Sequence, residues 1–219
     1  MSVHGENPAL RILPRGRHAA PRAVVAESQR ERLLVAMADA TAAKGYANVA
    51  VADVIDRAGV SRRSFYEHFA NKEECFLAAY DAGVAGLLEV IAEAEAEAGK
   101  GLLAGAQAGT EAYLQTLADN PAFARTFLIE VLGAGPAALQ RRDAVHERFA
   151  QRLVEGYRTA VGLDPTLPEP PAYIFRAAVG AIHELVIDRL LKEGAQALPA
   201  LLDPILEIEL RLLRAPASR

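Results

Sequence analysis

The stretch Ala58-Gly59-Val60-Ser61-Arg62-Arg63-Ser64-Phe65-Tyr66-Glu67-His68-Phe69 constrains this chain more than any other. Just upstream, Val51, Val54, Ile55 and Ala58 recur at i, i+3, i+4 and i+7, the apolar stripe of a short amphipathic helix. Gly59 stops that helix, because glycine takes the left-handed cap conformation at little steric cost. Val60 plugs the angle between two helices. Ser61 caps the next one, its hydroxyl bonding an orphan backbone N–H. The second helix buries Phe65 and Phe69, one turn apart, and turns Arg62, Arg63 and Tyr66 to its other side. Two short helices joined by a Gly-containing turn, the second shaped to enter a groove, make a helix-turn-helix.

The chemistry on that second helix suits DNA. An arginine at 62 or 63 can fork onto guanine O6 and N7 in the major groove. Ser64, Tyr66 and His68 can donate to phosphate oxygens, which fix register without reading sequence. Lys72 opens the following helix and adds a phosphate-reaching charge, and the helix N-terminus itself favours an anion. The expected DNA-contacting set is therefore Ser61, Arg62, Arg63, Ser64, Tyr66, His68 and Lys72. Two adjacent arginines alone would read as an ordinary solvated face. The full pattern of stop, cap and paired aromatics is what favours DNA.

Residues 29–80 resemble the N-terminal domain of the TetR family of bacterial transcriptional regulators. The resemblance rests on Gly45-Tyr46, Val51-Ala52-Asp53-Val54, Ala58-Gly59-Val60-Ser61, Phe65-Tyr66-Glu67-His68-Phe69 and Asn71-Lys72-Glu73-Glu74. It covers about a quarter of the chain, and the family's usual Tyr, His and Lys contact positions fall on Tyr66, His68 and Lys72. Two departures stand out. Val49-Ala50 occupy the place where the family has Thr or Ser, which removes a cap worth about 1 kcal/mol, with Asn48 as the expected substitute. Arg63 stands where the family often has a small residue, so no operator sequence carries over.

Net charge hides an asymmetry. Residues 1–72 hold 11 Lys and Arg against 7 Asp and Glu, a net of +4, whereas residues 73–219 hold 13 against 21, a net of −8. A basic head on an acidic body docks on DNA by one end. Residues 1–26 carry Arg11, Arg15, Arg17, His18 and Arg22 among Pro8, Pro14 and Pro21, with no periodic apolar face. They read as a disordered basic tail, or as an arm reaching the minor groove beside the recognition helix. The single cysteine, Cys75, excludes an internal disulfide and a Cys-pair zinc site, and reads as a buried helix residue. No signal-peptide core and no membrane-spanning apolar run are expected, and the expected compartment is the cytoplasm.

The remaining sequence favours helix, with long Ala, Leu, Glu and Arg stretches and no convincing alternating strand. The expected fold is all-α: a three-helix DNA-binding domain over 27–72 and a helical body over 73–214 for ligand binding and dimerisation. Helices are expected at about 27–44, 72–97, 102–119, 120–133, 136–161, 172–193 and 198–213. The segment 162–171, with four prolines, is a loop. The last two helices carry more apolar surface than one buried stripe, so Ile174, Ala178, Ala181, Ile182, Leu185, Leu202, Ile205, Leu206 and Leu212 are expected at a homodimer interface. Packing within one chain is the plainer explanation of the same residues. The resemblance itself implies a homodimer with a four-helix interface.

The resemblance also places a ligand site in the body. Its expected lining is Tyr80, Tyr113, Phe123, Phe127, Val131, Phe149, Tyr157 and Phe175, with Glu130, His146 and His183 as polar contacts for a hydrophobic or aromatic effector. Each has a plainer reading: aromatics at helical spacing as core, His146 as surface, His183 as an interface histidine. The expected partners are double-stranded DNA bearing an inverted repeat, the effector and a second copy, with no membrane and no cofactor. Repression relieved by the effector is the family's common mode.

Two other classes compete. One is a dimeric DNA-binding protein without an effector. The other is a helical-bundle enzyme or metal carrier, raised by the Asp143-x-x-His146 spacing. A di-iron bundle needs a second such motif, and His183 has Gly180 three residues before it. No phosphate loop, nucleophile elbow or zinc-protease motif is present, so no catalytic or metal residues are expected.

Overall fold

The computed structural model describes residues 22–99, 102–163, 165–167 and 170–213. Among them there is no strand. The helices are α1 (Arg22–Lys44), α2 (Val51–Ala58), α3 (Arg62–His68), α4 (Lys72–Glu97), α5 (Leu102–Asp119), α6 (Pro121–Leu128), α7 (Pro136–Leu163), α8 (Ala172–Glu193) and α9 (Leu202–Leu213). Short 3-10 segments lie at Tyr46–Asn48, Glu130–Gly133 and Ala195–Leu201.

The head is built as its residues dictate. Leu33 and Met37 of α1, Val54 and Ala58 of α2, and Phe65 and Phe69 around α3 are all buried together. Gly59 ends α2 with φ 62° and ψ 39°, the left-handed cap that favours glycine. Arg32 of α1 reaches across and donates from Nη1 to the Ala58 carbonyl at 2.9 Å, holding the last turn of α2. The missing cap before α2 is handled differently from expectation. Ala50 takes the cap position without a side-chain bond, and Asp53 Oδ2 accepts from the Ala50 N–H at 2.9 Å. Asn48 does not substitute; its side chain donates instead to the Lys44 carbonyl at the end of α1.

Helix α4 leaves the head. Asn71 caps it by accepting from the Glu74 N–H at 2.9 Å, while Glu74 accepts from the Ala70 N–H at 2.6 Å. By length and composition α4 is apolar enough to cross a membrane, although Asp81 and Glu89 interrupt its apolar run. Its apolar residues have another use: Cys75, Phe76, Tyr80, Val84, Leu87, Leu88 and Ile91 are buried in the main core. Burial pushes the Cys75 thiol up to about 12, so it stays protonated and inert.

Three boundaries moved. α1 starts at Arg22 rather than near 27, so the last residues of the expected arm are helical. Arg11, Arg15, Arg17 and His18 lie outside the described residues. The helix expected over 120–133 ends at Leu128 and continues as a 3-10 turn. The last helix starts at Leu202, because Pro199 has no N–H to donate and leaves Ala195–Leu201 as 3-10. A second, smaller cluster of Ala150, Tyr157, Phe175 and Val179 joins α7 to α8.

Candidate nucleic-acid interface and interior cavity

α3 has one buried side and one open side. Phe65 is fully buried, while Tyr66 is 47% exposed and Arg62 and Arg63 are exposed beside it. Ser61 caps the helix, its Oγ accepting from the Ser64 N–H at 3.0 Å, and the two hydroxyls also lie 3.0 Å apart. The Arg62 guanidinium lies 5.9 Å from the Tyr66 ring centre. Arg63 Nε donates to Glu67 at 2.9 Å, but an exposed i,i+4 pair is worth only tenths of a kcal/mol and does not tie the arginine down. His68 is half-buried beside Phe69. Lys72 is committed inside the fold: Nζ donates to the Tyr46 carbonyl at 3.0 Å and sits 4.3 Å from the Tyr46 ring centre.

The body encloses a cavity of about 390 Å³. Along α7 its lining runs from His146 to Thr159, which spans roughly 20 Å at 1.5 Å per residue, so the cavity is elongated. Tyr113, Phe127, His146, Phe149, Tyr157 and His183, all expected at a ligand site, line it. Tyr80, Phe123, Glu130, Val131 and Phe175 do not. Tyr80 is buried in the core against Phe127, ring centres 5.6 Å apart. Phe123 stacks on Phe127 at 5.3 Å and covers Gly83, where an added Cβ would lie 2.3 Å from the ring. Val131 is fully buried, and Phe175 packs on Tyr157 at 5.9 Å.

His146 and His183 meet at one end, ring centres 4.5 Å apart. Only 5% and 6% exposed, they are neither surface nor interface groups. Desolvation pushes His146 down to about 4 and His183 to about 3, so both are neutral at ordinary pH. Each Nε2 is buried without a hydrogen-bond partner among the described residues. Asp143, from the Asp-x-x-His spacing, is turned away and paired with Arg176. Among the described residues no three His, Cys, Asp or Glu side chains gather to hold a metal.

Sequence reasoning missed the charged part of the lining. Glu95 pairs with Arg152 across α4 and α7, and Gly109 leaves room for it: a Cβ there would lie 2.7 Å from Glu95 Oε1. Burial raises the Glu95 carboxyl, against the lowering effect of Arg152. Glu209 of α9 is 7% exposed, and burial together with the Glu95 charge pushes it up to about 7. One signal was available: Glu209 lies one turn after the buried Ile205, an acid on an apolar face.

Glu130 belongs to the junction of head and body. It accepts from the Tyr46 N–H at 2.9 Å and pairs with Arg125 at 3.2 Å. One turn earlier Thr126 donates to the Ala38 carbonyl of α1 at 3.2 Å. Helix α6 therefore touches the cavity through Phe127 and the head through Thr126, with Glu130 just beyond it.

The residues expected at a dimer interface divide. Ala178 and Ile205 are buried within one chain, and Ile182 and Ile205 line the cavity, so they are removed from that surface. Ile174 and Leu202 pack on the chain's own cores. Ala181, Leu185, Leu206 and Leu212 remain half-exposed, beside the exposed Ala177, Gly180 and Leu191.

Comparison with known proteins agrees with this geometry. Residues 33–79 match the family model "Bacterial regulatory proteins, tetR family". No curated protein matches the chain. Among solved structures, the fatty acid degradation regulator FadR from Bacillus halodurans is similar at TM-score 0.75 and 18% identity, covering 87% of this chain and 97% of its own. The transcriptional regulator FadR from Bacillus subtilis, solved with stearoyl-CoA, gives TM-score 0.70 at 16% identity, covering 83% of this chain and 96% of its own. TylP, a tetR regulator from Streptomyces fradiae, gives 0.64 at 19%, covering 90% of each chain. At these identities the likeness is one of fold. The match over 33–79 falls on the helix-turn-helix, so the N-terminal domain of this chain is similar to that of the tetR family of bacterial regulatory proteins.

Proposed function

We propose that the chain is a homodimeric, sequence-specific DNA-binding regulator of transcription, a repressor that leaves its operator when a small molecule fills the body cavity. The single observation that carries the reading is α3, which exposes Arg62, Arg63 and Tyr66 while burying Phe65. Arg62 is the base-reading candidate. Ser64, Tyr66 and His68 serve phosphates, and Lys72, half-buried and held to Tyr46 through one of its three N–H donors, adds a phosphate contact with the others. The dimer forms through the half-exposed faces of α8 and α9, where Ala177, Gly180 and Ala181 allow close helix approach. Acting on DNA places the protein in the cytoplasm.

Effector release is a population shift. Ligand must bind the non-operator state more tightly than the operator-competent one. A ligand beside Phe127 displaces α6, and the bonds of Thr126 and Glu130 carry that displacement to α1 and Tyr46. A molecule with a long apolar tail suits the cavity's length; the Bacillus subtilis neighbour was solved with stearoyl-CoA, whose acyl chain is such a tail. The alternative, a regulator without an effector, leaves the cavity and its unpaired polar atoms without a use. Sequencing genomic fragments retained by the purified protein tests the reading. A short inverted repeat is expected, lost in the Arg62→Ala/Tyr66→Phe double variant. Retention no better than random DNA overturns it.

A further inference from the structure

Glu209 has no part in DNA binding, and nothing in the core needs a carboxylate there. It lines the cavity, almost fully buried, and no described residue gives it a hydrogen bond or an opposite charge. A buried carboxylate left unpaired carries a heavy desolvation cost. The charge that acts on it is that of Glu95, of the same sign, and Arg152 is already engaged by Glu95. Glu155, exposed, adds a third carboxylate to the lining, against one arginine among the described residues. The two imidazoles in the lining are neutral and supply hydrogen bonds without positive charge. The lining also has apolar walls, with Ile91, Phe149, Leu153 and Val179 among them.

We infer that the cavity takes an elongated amphiphile with a protonated amine, the ammonium seated against Glu209 and Glu95 and the apolar tail lying along Phe149 and Leu153. The inference rests on the effector reading and gives it a ligand class. An ammonium supplies the charge that Glu209 lacks and offsets the repulsion between the two carboxylates. A carboxylate or phosphate head would add like charge at the same place.

The test is calorimetry of the full chain without DNA, using decylamine, decanol and decanoate, each below micelle formation. Decylamine is expected to bind about tenfold or more tightly than the other two. In Glu209→Gln, which keeps the side chain's shape, the amine should lose about that factor while decanol is unchanged. Glu209→Asp, should Gln disturb the fold, is expected to keep the preference for amine over decanoate. Decanoate binding as tightly as decylamine, an amine affinity untouched by Glu209→Gln, or no binding by any probe overturns the inference. A chain that binds the amine but retains no genomic DNA contradicts the regulator reading alone.

Discussion

Arg62 and Arg63 are neighbours in sequence but not in circumstance. Arg63 has Glu67 one turn away, whereas Arg62 lies over Tyr66 with no carboxylate partner among the described residues. Arg62→Ala should therefore cost about 1–3 kcal/mol of operator binding and relax specificity at one base pair, read by competition with singly substituted operators. A uniform loss across sequences would assign it to phosphate instead. The buried titratable groups give a second prediction. The histidines, depressed from 6.5 to about 4 and 3, support the fold above pH 6.5, and that support is lost as pH falls towards 3. Glu209, raised from 4.5 to about 7, acts oppositely: its contribution is whole below pH 4.5 and lost as pH rises through 7. Glu209→Gln should thus melt higher than the parent at pH 8, with the gap closing towards pH 4.5. A gap independent of pH would show that Glu209 is not the strained ionised group. The contact between the two histidines and the burial of Glu209 were not settled by sequence, for one reason. Burial of a polar side chain depends on which helices cross over it, and local pattern carries no record of that. Phe65, by contrast, announced its burial through its spacing to Phe69 and the Ser61 cap.

At the scale of elements, α2, α3 and α4 were readable because each begins or ends on residues with a local mechanism: Gly59, Ser61, Asn71. The role of α6 was not, since it arises from contacts between residues some 80–90 positions apart. Two variants probe it. Gly83→Ala places a methyl on Phe123 and should destabilise by about 1–3 kcal/mol through overpacking, measured by denaturant unfolding. Glu130→Ala strips the acceptor from the Tyr46 N–H and should cost a similar amount, about 1–3 kcal/mol. If α6 carries the signal, Glu130→Ala also shrinks the effector's effect on DNA affinity while effector binding itself is kept. An undiminished effect would place the coupling in α4 alone.

The molecule as a whole carries a basic head, a cavity and a half-exposed apolar stripe on one chain. In the proposed dimer the half-exposed stripe of α8 forms the interface, so Ala181→Glu should yield monomer by light scattering and lose cooperative operator binding. The central claim is that a dimeric body holds two α3 helices at a fixed spacing, about 34–36 Å, that matches successive major grooves. It is tested most directly by titrating the chain against its selected inverted repeat and against the same repeat with about 5 base pairs inserted between the half-sites, half a helical turn. The account predicts that the insertion abolishes tight cooperative binding, because one half-site then faces away. Equal affinity for the two duplexes would contradict it.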